Sequence, residues 1–307
     1  MSTLHNPQTP VDVAVPRGLS WSSVSSYAEC GYRWLLDRRL ASEDVQWLNT
    51  LGGSTLHEVT ETEDRVRLGE DLVIPTFEAH LVKLIAESPA GTRIRVSGQK
   101  RTKLQFTGGP NKQDLEWWLT YGPQMVEQWR RFQAETGWII ATMPDGTPGI
   151  ELGFEIEIEG VPVRGSIDRV MLTPEGEIVI VDIKGGRTSA VMQLATYALA
   201  VSEVYGLDAE WATFWQPRPE DEAHPLGKYW REHMPSYPWD QLRAMYTGTM
   251  DSISRGVFLP NVGSGCSGCT VKESCWGVGG SRASTIPRFI QMVPAREASY
   301  QRGLAPA

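Results

Sequence analysis

The sequence predicts an α/β fold, because the pattern of apolar residues changes from helical to strand-like along the chain. Up to about residue 140, apolar residues recur at helical spacing. From Gly149 onward, apolar and polar residues alternate, and the run IVIVDIK that begins at Ile178 is apolar almost to its end. A further helical pattern follows that run. We therefore expect helices, then a sheet, then helices.

The composition is that of an ordinary soluble globular protein. The chain has 307 residues, of which 41% are hydrophobic and 21% are charged, enough for one substantial core. No apolar run reaches the length of a transmembrane helix, and the first residues lack the basic-then-apolar order of a secretory signal. We expect a cytoplasmic protein with reduced thiols.

The net charge of -8 argues against indiscriminate binding to nucleic acid, because phosphates would be repelled on average. One segment, 92–105, is an exception, with five basic residues and no acidic residue: Arg93, Arg95, Lys100, Arg101 and Lys103. This segment could contact a phosphate backbone or could form a solvated basic hairpin.

The predicted helices cover residues 20–40, 54–68, 77–87, 112–136, 189–205 and 239–255. The second helix begins after Gly52 and Gly53 and carries His57. We expect the tryptophans of the fourth helix to belong to the core. Residues 1–16 and 281–307 are predicted to be tails around one domain, 17–280, with a helical part (20–140), a sheet and helix (149–205) and a cysteine arm (256–280).

Three strands are predicted, and two of them bring carboxylates together. The strands are GIELGFEIEIEG, VPVRGSIDRVML and IVIVDIK. If Leu172 pairs with Glu177 across the turn TPEGE, Asp168 lies opposite Val181 and beside Asp182. A register shifted by one residue would place Asp168 directly opposite Asp182. In both registers the two aspartates are close.

Converging carboxylates and a lysine are what metal-assisted phosphodiester hydrolysis requires. Carboxylate oxygens are ligands for Mg²⁺ or Mn²⁺, and a lysine offsets charge in the transition state. Asp168, Asp182 and Lys184 fit these roles, and Glu151 can reach the same region from the neighbouring strand. An isolated Asp-x-Lys would equally fit a structural ion pair.

The order of motifs resembles the RecB-like branch of the PD-(D/E)XK nucleases. The motifs are His57, Glu151, Gly165-x-x-Asp168-Arg169, Asp182-Ile183-Lys184 and Gln193-x-x-x-Tyr197. The resemblance implies a restriction-endonuclease-like core with a mixed central sheet flanked by helices. It also implies that His57, Asp168 and Asp182 bind Mg²⁺ or Mn²⁺ and that Lys184 is catalytic together with the carboxylates. Gln193 and Tyr197 would support the site and contact DNA. Glu155 or Glu157 would replace Glu151 if the strand register differs.

The cysteines indicate a second metal centre. Cys30 stands alone, whereas Cys266-x2-Cys269-x5-Cys275 form a triplet, and four such thiols suit an iron-sulfur cluster or a structural zinc. The layout resembles that of AddB-type nucleases and CRISPR-associated RecB-type exonucleases. This resemblance implies a structural [4Fe-4S] cluster that joins the N-terminal helix to the C-terminal segment.

Together these observations predict a stand-alone, metal-dependent DNA exonuclease. No G-x-x-x-x-G-K-[ST] phosphate loop occurs, so no helicase motor is expected. The expected substrate is a DNA end, preferably single-stranded, in recombination, replication, repair or CRISPR adaptation, and a phage-encoded form would act in the host cytoplasm. The alternatives are a catalytically silent DNA-binding recombination subunit and a zinc-stabilised interaction module.

Overall fold

A computed structural model describes residues 11–40, 45–96, 113–185, 190–219 and 221–294. Lys100, Arg101 and Lys103 of the basic segment lie outside these ranges, as does Ser189. The chain divides into two compact units. We call Asp44–Ile156 with Gly165–Leu242 the sheet unit, and Met1–Glu43, Glu157–Arg164 and Arg243–Ala307 the cysteine unit.

The order of elements follows the predicted change from helices to strands. The helices are α1 (Trp21–Glu29), α2 (Gly31–Leu35), α3 (Leu48–Arg67), α4 (Phe77–Ala86), α5 (Leu115–Thr136), α6 (Met192–Tyr205) and α7 (Trp239–Ser254). The strands are β1 (Val11–Ala14), β2 (Val45–Trp47), β3 (Arg93–Arg95), β4 (Ile139–Ile140), β5 (Ile150–Ile158), β6 (Val161–Leu172), β7 (Ile178–Ile183), β8 (Trp211–Trp215), β9 (Arg231–His233) and β10 (Ile290–Val293). Within the described ranges, no helix is both long and apolar enough to cross a membrane.

The central sheet is mixed, as predicted. Its strands lie in the order β4-β6-β7-β8-β9, and β5 also pairs with β6. The strands β7 and β8 are parallel and α6 connects them, whereas the β4–β6, β6–β7 and β8–β9 pairs are antiparallel. A parallel pair requires such a crossover, and the helix covers one face of the sheet.

Helices cover β7, which explains why this strand is almost entirely apolar. Val179, Val181 and Ile183 belong to a buried cluster with residues of α3, α4 and α5. On the opposite face, α6 packs against β7 and β8. The tryptophans Trp118 and Trp129 of α5 are fully buried in the cluster, in agreement with the prediction that they form core. The charged residues at the end of β7 therefore emerge from a doubly covered strand.

The register of β6 and β7 is the second of the two considered from the sequence. Leu172 pairs with Ile178 and not with Glu177, and Arg169 pairs with Val181. The turn is one residue longer than the first register assumed, because the Thr173 N–H donates to the Glu177 carbonyl. Asp168 and Asp182 consequently occupy the next opposed positions of the ladder.

Two predicted helices have different limits in the structure. The single helix expected over 20–40 breaks at Cys30, which adopts an extended backbone between α1 and α2. The Cys30 sulfur then accepts a hydrogen bond from the Arg33 N–H at the start of α2. The helix α3 begins at Leu48 and includes Gly52 and Gly53, which were predicted to precede it. A Cβ at Gly52 would overlap the Trp118 ring, so this glycine permits close packing of α3 and α5.

Candidate active site

Three potential metal ligands come together in the sheet unit, from α3, β5 and β6. One ligand atom each from His57, Glu151 and Asp168 lie within 4.8 Å of one another. The His57 Nδ1 atom is 3.6 Å from Asp168 Oδ2 and 3.8 Å from Glu151 Oε1. An imidazole nitrogen with two carboxylates is a suitable ligand set for a divalent cation. Glu155 and Glu157, the alternatives to Glu151, have exposed side chains.

The orientation of the His57 ring is set by a backbone hydrogen bond. Its Nε2 atom lies 2.9 Å from the Ile183 carbonyl, and because a carbonyl only accepts, Nε2 must carry the proton. In its neutral form the ring presents the lone pair of Nδ1 to the carboxylates, as a metal ligand would. Burial opposes a charge on the ring, but the Asp168 and Glu151 carboxylates outweigh burial and raise the pKa of His57.

Glu151 is held in an unusual backbone conformation. Its φ of 45° lies in the left-handed region, which non-glycine residues seldom adopt and which is concentrated at functional sites. Its carboxylate accepts from Arg169 Nη1 at 3.3 Å and from Ser166 Oγ at 3.3 Å. Burial favours the neutral acid, but His57 and Arg169 oppose it and lower the pKa of Glu151. The Glu151 side chain is therefore ionised and fixed at the ligand group.

Asp182 lies next to this ligand group and is paired with Lys184. The Lys184 Nζ atom is 2.7 Å from Asp182 Oδ2, and Gln193 Nε2 donates to Asp182 Oδ1 at 2.8 Å. Asp182 is 1% exposed, and burial followed by the charge of Asp168 raises its pKa to about 7. Asp168 itself accepts from the Ile183 N–H at 2.7 Å. The charge of Asp168 thus adds to burial in disfavouring ionisation of Asp182.

Gln193 and Tyr197 lie side by side on α6, as their spacing predicted. Gln193 Nε2 is 2.8 Å from the Tyr197 hydroxyl, and both side chains are buried. Phe154 of β5 contacts the Tyr197 ring edge-on at a centroid distance of 5.9 Å. The pair thus positions Asp182 through the hydrogen bond from Gln193. Contact of Gln193 and Tyr197 with DNA stays a prediction.

Next to the ligand group lies a buried ion pair between Arg169 and Asp64 that was not predicted from the sequence. Arg169 is fully buried, and its Nε donates to Asp64 Oδ2 at 2.7 Å while its Nη1 contacts Glu151. Asp64 also accepts from Trp129 Nε1 and Gln133 Nε2. A sequence signal for this pair does exist. His57, Thr60 and Asp64 are spaced three and four apart on α3, which makes a polar stripe on an otherwise apolar helix face.

The ligand group opens into a cavity of about 650 Å³. His57, Glu151 and Lys184 contribute to its wall, together with Gly53 and Gly185. Neither glycine carries a side chain, and a Cβ at Gly53 would have no atom within 4 Å. A substrate can therefore approach the ligand group from this side without displacing a side chain of either residue.

The four cysteines line a second cavity, which lies wholly within the cysteine unit. This cavity measures about 370 Å³, and Cys30, Cys266, Cys269 and Cys275 all contribute to its wall. Backbone N–H groups of Arg33 and Asn261 donate to Cys30 Sγ at 3.4 and 3.3 Å, and that of Gly263 donates to Cys266 Sγ at 3.4 Å. Burial raises the pKa of the Cys269 thiol.

The spacing of the four sulfurs differs from that of the histidine-carboxylate group. Among the described residues, no three ligand atoms that include these sulfurs fall within 4.8 Å of one another. A single tetrahedral zinc, with Zn–S bonds of about 2.3 Å, would hold its sulfurs about 3.8 Å apart. The four thiols therefore line one cavity without meeting at the spacing of a single zinc site.

The geometry of the sheet and of the ligand group agrees with the protein family whose model the sequence matches. The model of the PD-(D/E)XK nuclease superfamily matches residues 18–276. The chain belongs to the PD-(D/E)XK nuclease superfamily. Membership agrees with the mixed central sheet, in which Asp168 lies within β6 and Asp182 lies near the end of β7.

Similar proteins occur in mycobacteriophages. The "Gene 69 protein" of Mycobacterium phage D29 is 34% identical over 174 residues, 53% of this chain and 61% of that protein. The "Gene 69 protein" of Mycobacterium phage L5 is 32% identical over 223 residues, 62% of this chain and 72% of that protein. Similarity to the D29 protein thus spans less than two thirds of its length.

One solved structure that matches most of this chain is a provisionally assigned exonuclease from Eubacterium rectale. It is 12% identical, with a TM-score of 0.47, and the match covers 82% of this chain and 87% of that one. At this level of similarity, the superfamily membership depends on the family model and not on the structural match.

Proposed function

We propose that this chain is a divalent-metal-dependent deoxyribonuclease that acts on DNA ends, with a preference for single strands. The observation that carries the proposal is the convergence of His57, Glu151 and Asp168 within 4.8 Å, beside Lys184 on one cavity. Membership in a nuclease superfamily supports hydrolysis of a phosphodiester bond. The similarity to proteins of two mycobacteriophages supports a phage-encoded form of this enzyme.

The residues present fit Mg²⁺ or Mn²⁺. His57 Nδ1 and the carboxylates of Glu151 and Asp168 would hold the ion, and Asp182 would join them once it releases Lys184. An ion held there would polarise the phosphodiester and lower the pKa of the attacking water. Lys184 lines the same cavity, where its ammonium group would offset negative charge on the phosphate. His57 would not act as an acid, because its Nε2 proton is engaged by Ile183.

The test is hydrolysis of end-labelled single- and double-stranded DNA with Mg²⁺, with Mn²⁺ and with EDTA. We expect wild-type protein to degrade single strands in either metal and to be inactive in EDTA. Lys184→Ala should lose at least about 100-fold in rate, a typical loss for a group that stabilises developing charge. Lys83→Ala, a control at an exposed lysine of α4, should match wild type. Undiminished activity of Lys184→Ala would refute the assignment, and so would cleavage in EDTA.

We further propose that the four cysteines hold a [4Fe-4S] cluster. The cavity that the four cysteines share and the N–H donors to Cys30 and Cys266 support a bound metal centre at this place. The choice of iron over zinc rests on the resemblance of the cysteine layout. Backbone N–H groups directed at thiolate sulfurs are a recognised means of tuning such clusters. The role would be structural, because the ligands come from both ends of the chain.

The cluster is tested on anaerobically purified protein by visible absorption and by iron, sulfide and zinc analysis. We expect a brown protein with about four irons per chain. A colourless protein with one zinc and no iron would replace this proposal by the zinc-stabilised alternative. The nuclease assay is independent of that outcome.

A further inference from the structure

One tryptophan of α5 differs from its neighbours in exposure. Trp118 and Trp129 are fully buried, but Trp117 is only partly buried and lines a cavity of about 450 Å³ in the sheet unit. Trp117 is held in place by its neighbours, with ring centroids 5.0 Å from Trp118 and 5.3 Å from Tyr121. We call this cavity the Trp117 cleft. A fixed aromatic side chain at a cavity wall offers a stacking surface.

The Trp117 cleft adjoins the cavity of the ligand group. Gln113 and Gly185 line both cavities, and Gly185 directly follows Lys184. Gly185 presents only backbone at this boundary, and its nearest neighbours include Gly53 and Trp118. A polymer bound at the ligand group can therefore continue into the Trp117 cleft.

The chemistry of the cleft suits a nucleotide. The Trp117 ring lines the cleft, where it can stack against the flat face of a base. Arg218 contributes a cation to the same wall. Asp221 also lines the cleft, but its carboxylate is engaged by His224 Nδ1 at 2.8 Å.

Arg218 is positioned by the helix that carries Trp117. Gln128 of α5 accepts from the Arg218 N–H at 2.8 Å and donates to the Arg218 carbonyl at 3.0 Å. The Arg218 side chain is directed by a hydrogen bond from its Nη2 to Gln216 Oε1. The aromatic ring and the cation are therefore arranged before any ligand binds, which reduces the entropy cost of binding.

We propose that the Trp117 cleft is a subsite for an unpaired nucleotide of the strand that is being cut. Its base stacks on Trp117 and an adjoining phosphate faces Arg218. This inference rests on the nuclease function proposed above and adds a physical reason for a preference for single strands. A paired base is stacked within its duplex, and it must leave the duplex before it can occupy such a cleft.

The experiment measures binding of a fluorescent single-stranded oligonucleotide and of a blunt hairpin, in a Lys184→Ala background that prevents cleavage. Adding Trp117→Ala should weaken single-strand binding roughly 5- to 150-fold, the range for loss of one base-aromatic stack. Trp117→Phe, which keeps a stacking ring, should lose less. Trp211→Ala removes a partly buried tryptophan packed against the same core but outside the cleft, and should leave binding unchanged.

Two further measurements separate a subsite from damage to the fold. Arg218→Gln should weaken single-strand binding. It should also reduce the slope of log affinity against log salt concentration by about the amount expected for one phosphate contact. Trp117→Ala should retain the circular dichroism spectrum and the cooperative urea unfolding of wild type, because the Trp117 side chain is only partly buried.

The inference and the proposed function fail in different ways. Wild-type single-strand affinity in Trp117→Ala would overturn the subsite even if the protein is a nuclease, and so would an equal loss in Trp211→Ala. Absence of metal-dependent cleavage by wild type, with single-strand binding that still depends on Trp117, would overturn the nuclease and keep the subsite.

Discussion

At the scale of single residues, charge balance around the ligand group depends on Arg169. This residue is fully buried and lies between two carboxylates, Asp64 at 2.7 Å and Glu151 at 3.3 Å. Removing one partner of such a pair leaves an uncompensated buried charge. Arg169 therefore both stabilises the sheet unit and keeps Glu151 ionised toward His57 and Asp168.

Arg169→Met should lower the free energy of unfolding by about 3–5 kcal/mol, because Asp64 and Glu151 lose their cation. Mn²⁺ binding should weaken as well, since Glu151 is no longer positioned. Urea unfolding and calorimetric Mn²⁺ titration measure the two effects.

The double variant Arg169→Met with Asp64→Asn should recover part of the stability but none of the Mn²⁺ affinity. Arg131→Met removes an exposed pair with Glu135 and should cost less than about 1 kcal/mol. Equal stabilities of Arg169→Met and Arg131→Met would refute this account of the buried pair.

The raised pKa of Asp182 predicts how stability varies with pH in metal-free protein. Its pKa is about 7 in the folded state, above the ordinary value of 3.8. Between these values the folded state holds a proton that the unfolded state has released, so this group makes the unfolding free energy fall as pH rises. Asp182→Asn has no carboxyl group to titrate, so it lacks this dependence. The unfolding free energy of the variant, relative to that of wild type, should therefore increase by up to about 1.4 kcal/mol for each pH unit from pH 4 to 7. Parallel pH profiles of urea midpoints in EDTA would contradict this prediction.

At the scale of elements, the adjacent glycines of α3 serve different purposes. Gly52 faces Trp118 so closely that no Cβ fits, whereas a Cβ at Gly53 would meet nothing within 4 Å. Gly53 also lines the cavity of the ligand group. The first glycine thus serves helix packing, and the second leaves space in front of the ligands.

The two glycines provide a matched pair of substitutions. Gly52→Ala should destabilise the protein by about 1–3 kcal/mol through overpacking against Trp118. Gly53→Ala should stabilise α3 by about 1 kcal/mol, the helix-propensity difference between alanine and glycine. Thermal or urea unfolding measures both changes. If the two variants change stability in the same direction, the assignment of separate purposes is wrong.

At the scale of the whole chain, the cysteine cavity connects segments that are remote in sequence. Cys30 and Cys266 are 236 positions apart (266 minus 30) and line the same cavity. A cross-link that closes so long a loop removes much of the conformational entropy of the unfolded chain. The proposed cluster would act as such a cross-link, and by the estimate used for covalent cross-links it would stabilise the fold by on the order of 5 kcal/mol.

Cys269→Ser should therefore lower both the iron content and the thermal midpoint of anaerobically purified protein. Ser267→Ala, two residues away and not among the residues that line the cavity, should retain both. A Cys269→Ser protein with full iron content would exclude Cys269 as a ligand. Unchanged stability after loss of iron would refute the structural role.

The order of elements, the mixed α/β character and the choice of Asp168, Asp182 and Lys184 as candidate site residues could all be predicted from the sequence. These features follow from local periodicity and from motif order, which a chain expresses residue by residue. The alternation of Val179, Val181 and Ile183 against Ile180 and Asp182 predicted a strand with two distinct faces, and helices cover both.

Only the tertiary structure decided which groups meet, because pairing depends on contacts between remote segments. The one-residue choice of register that opposes Asp168 and Asp182 followed from the length of the turn at Thr173–Glu177. The position of Gly52 within α3 allows close packing against Trp118. The buried pair of Arg169 and Asp64 joins residues 105 positions apart. No local pattern specifies such a partner, since the energy that selects it arises only when both charges leave water together.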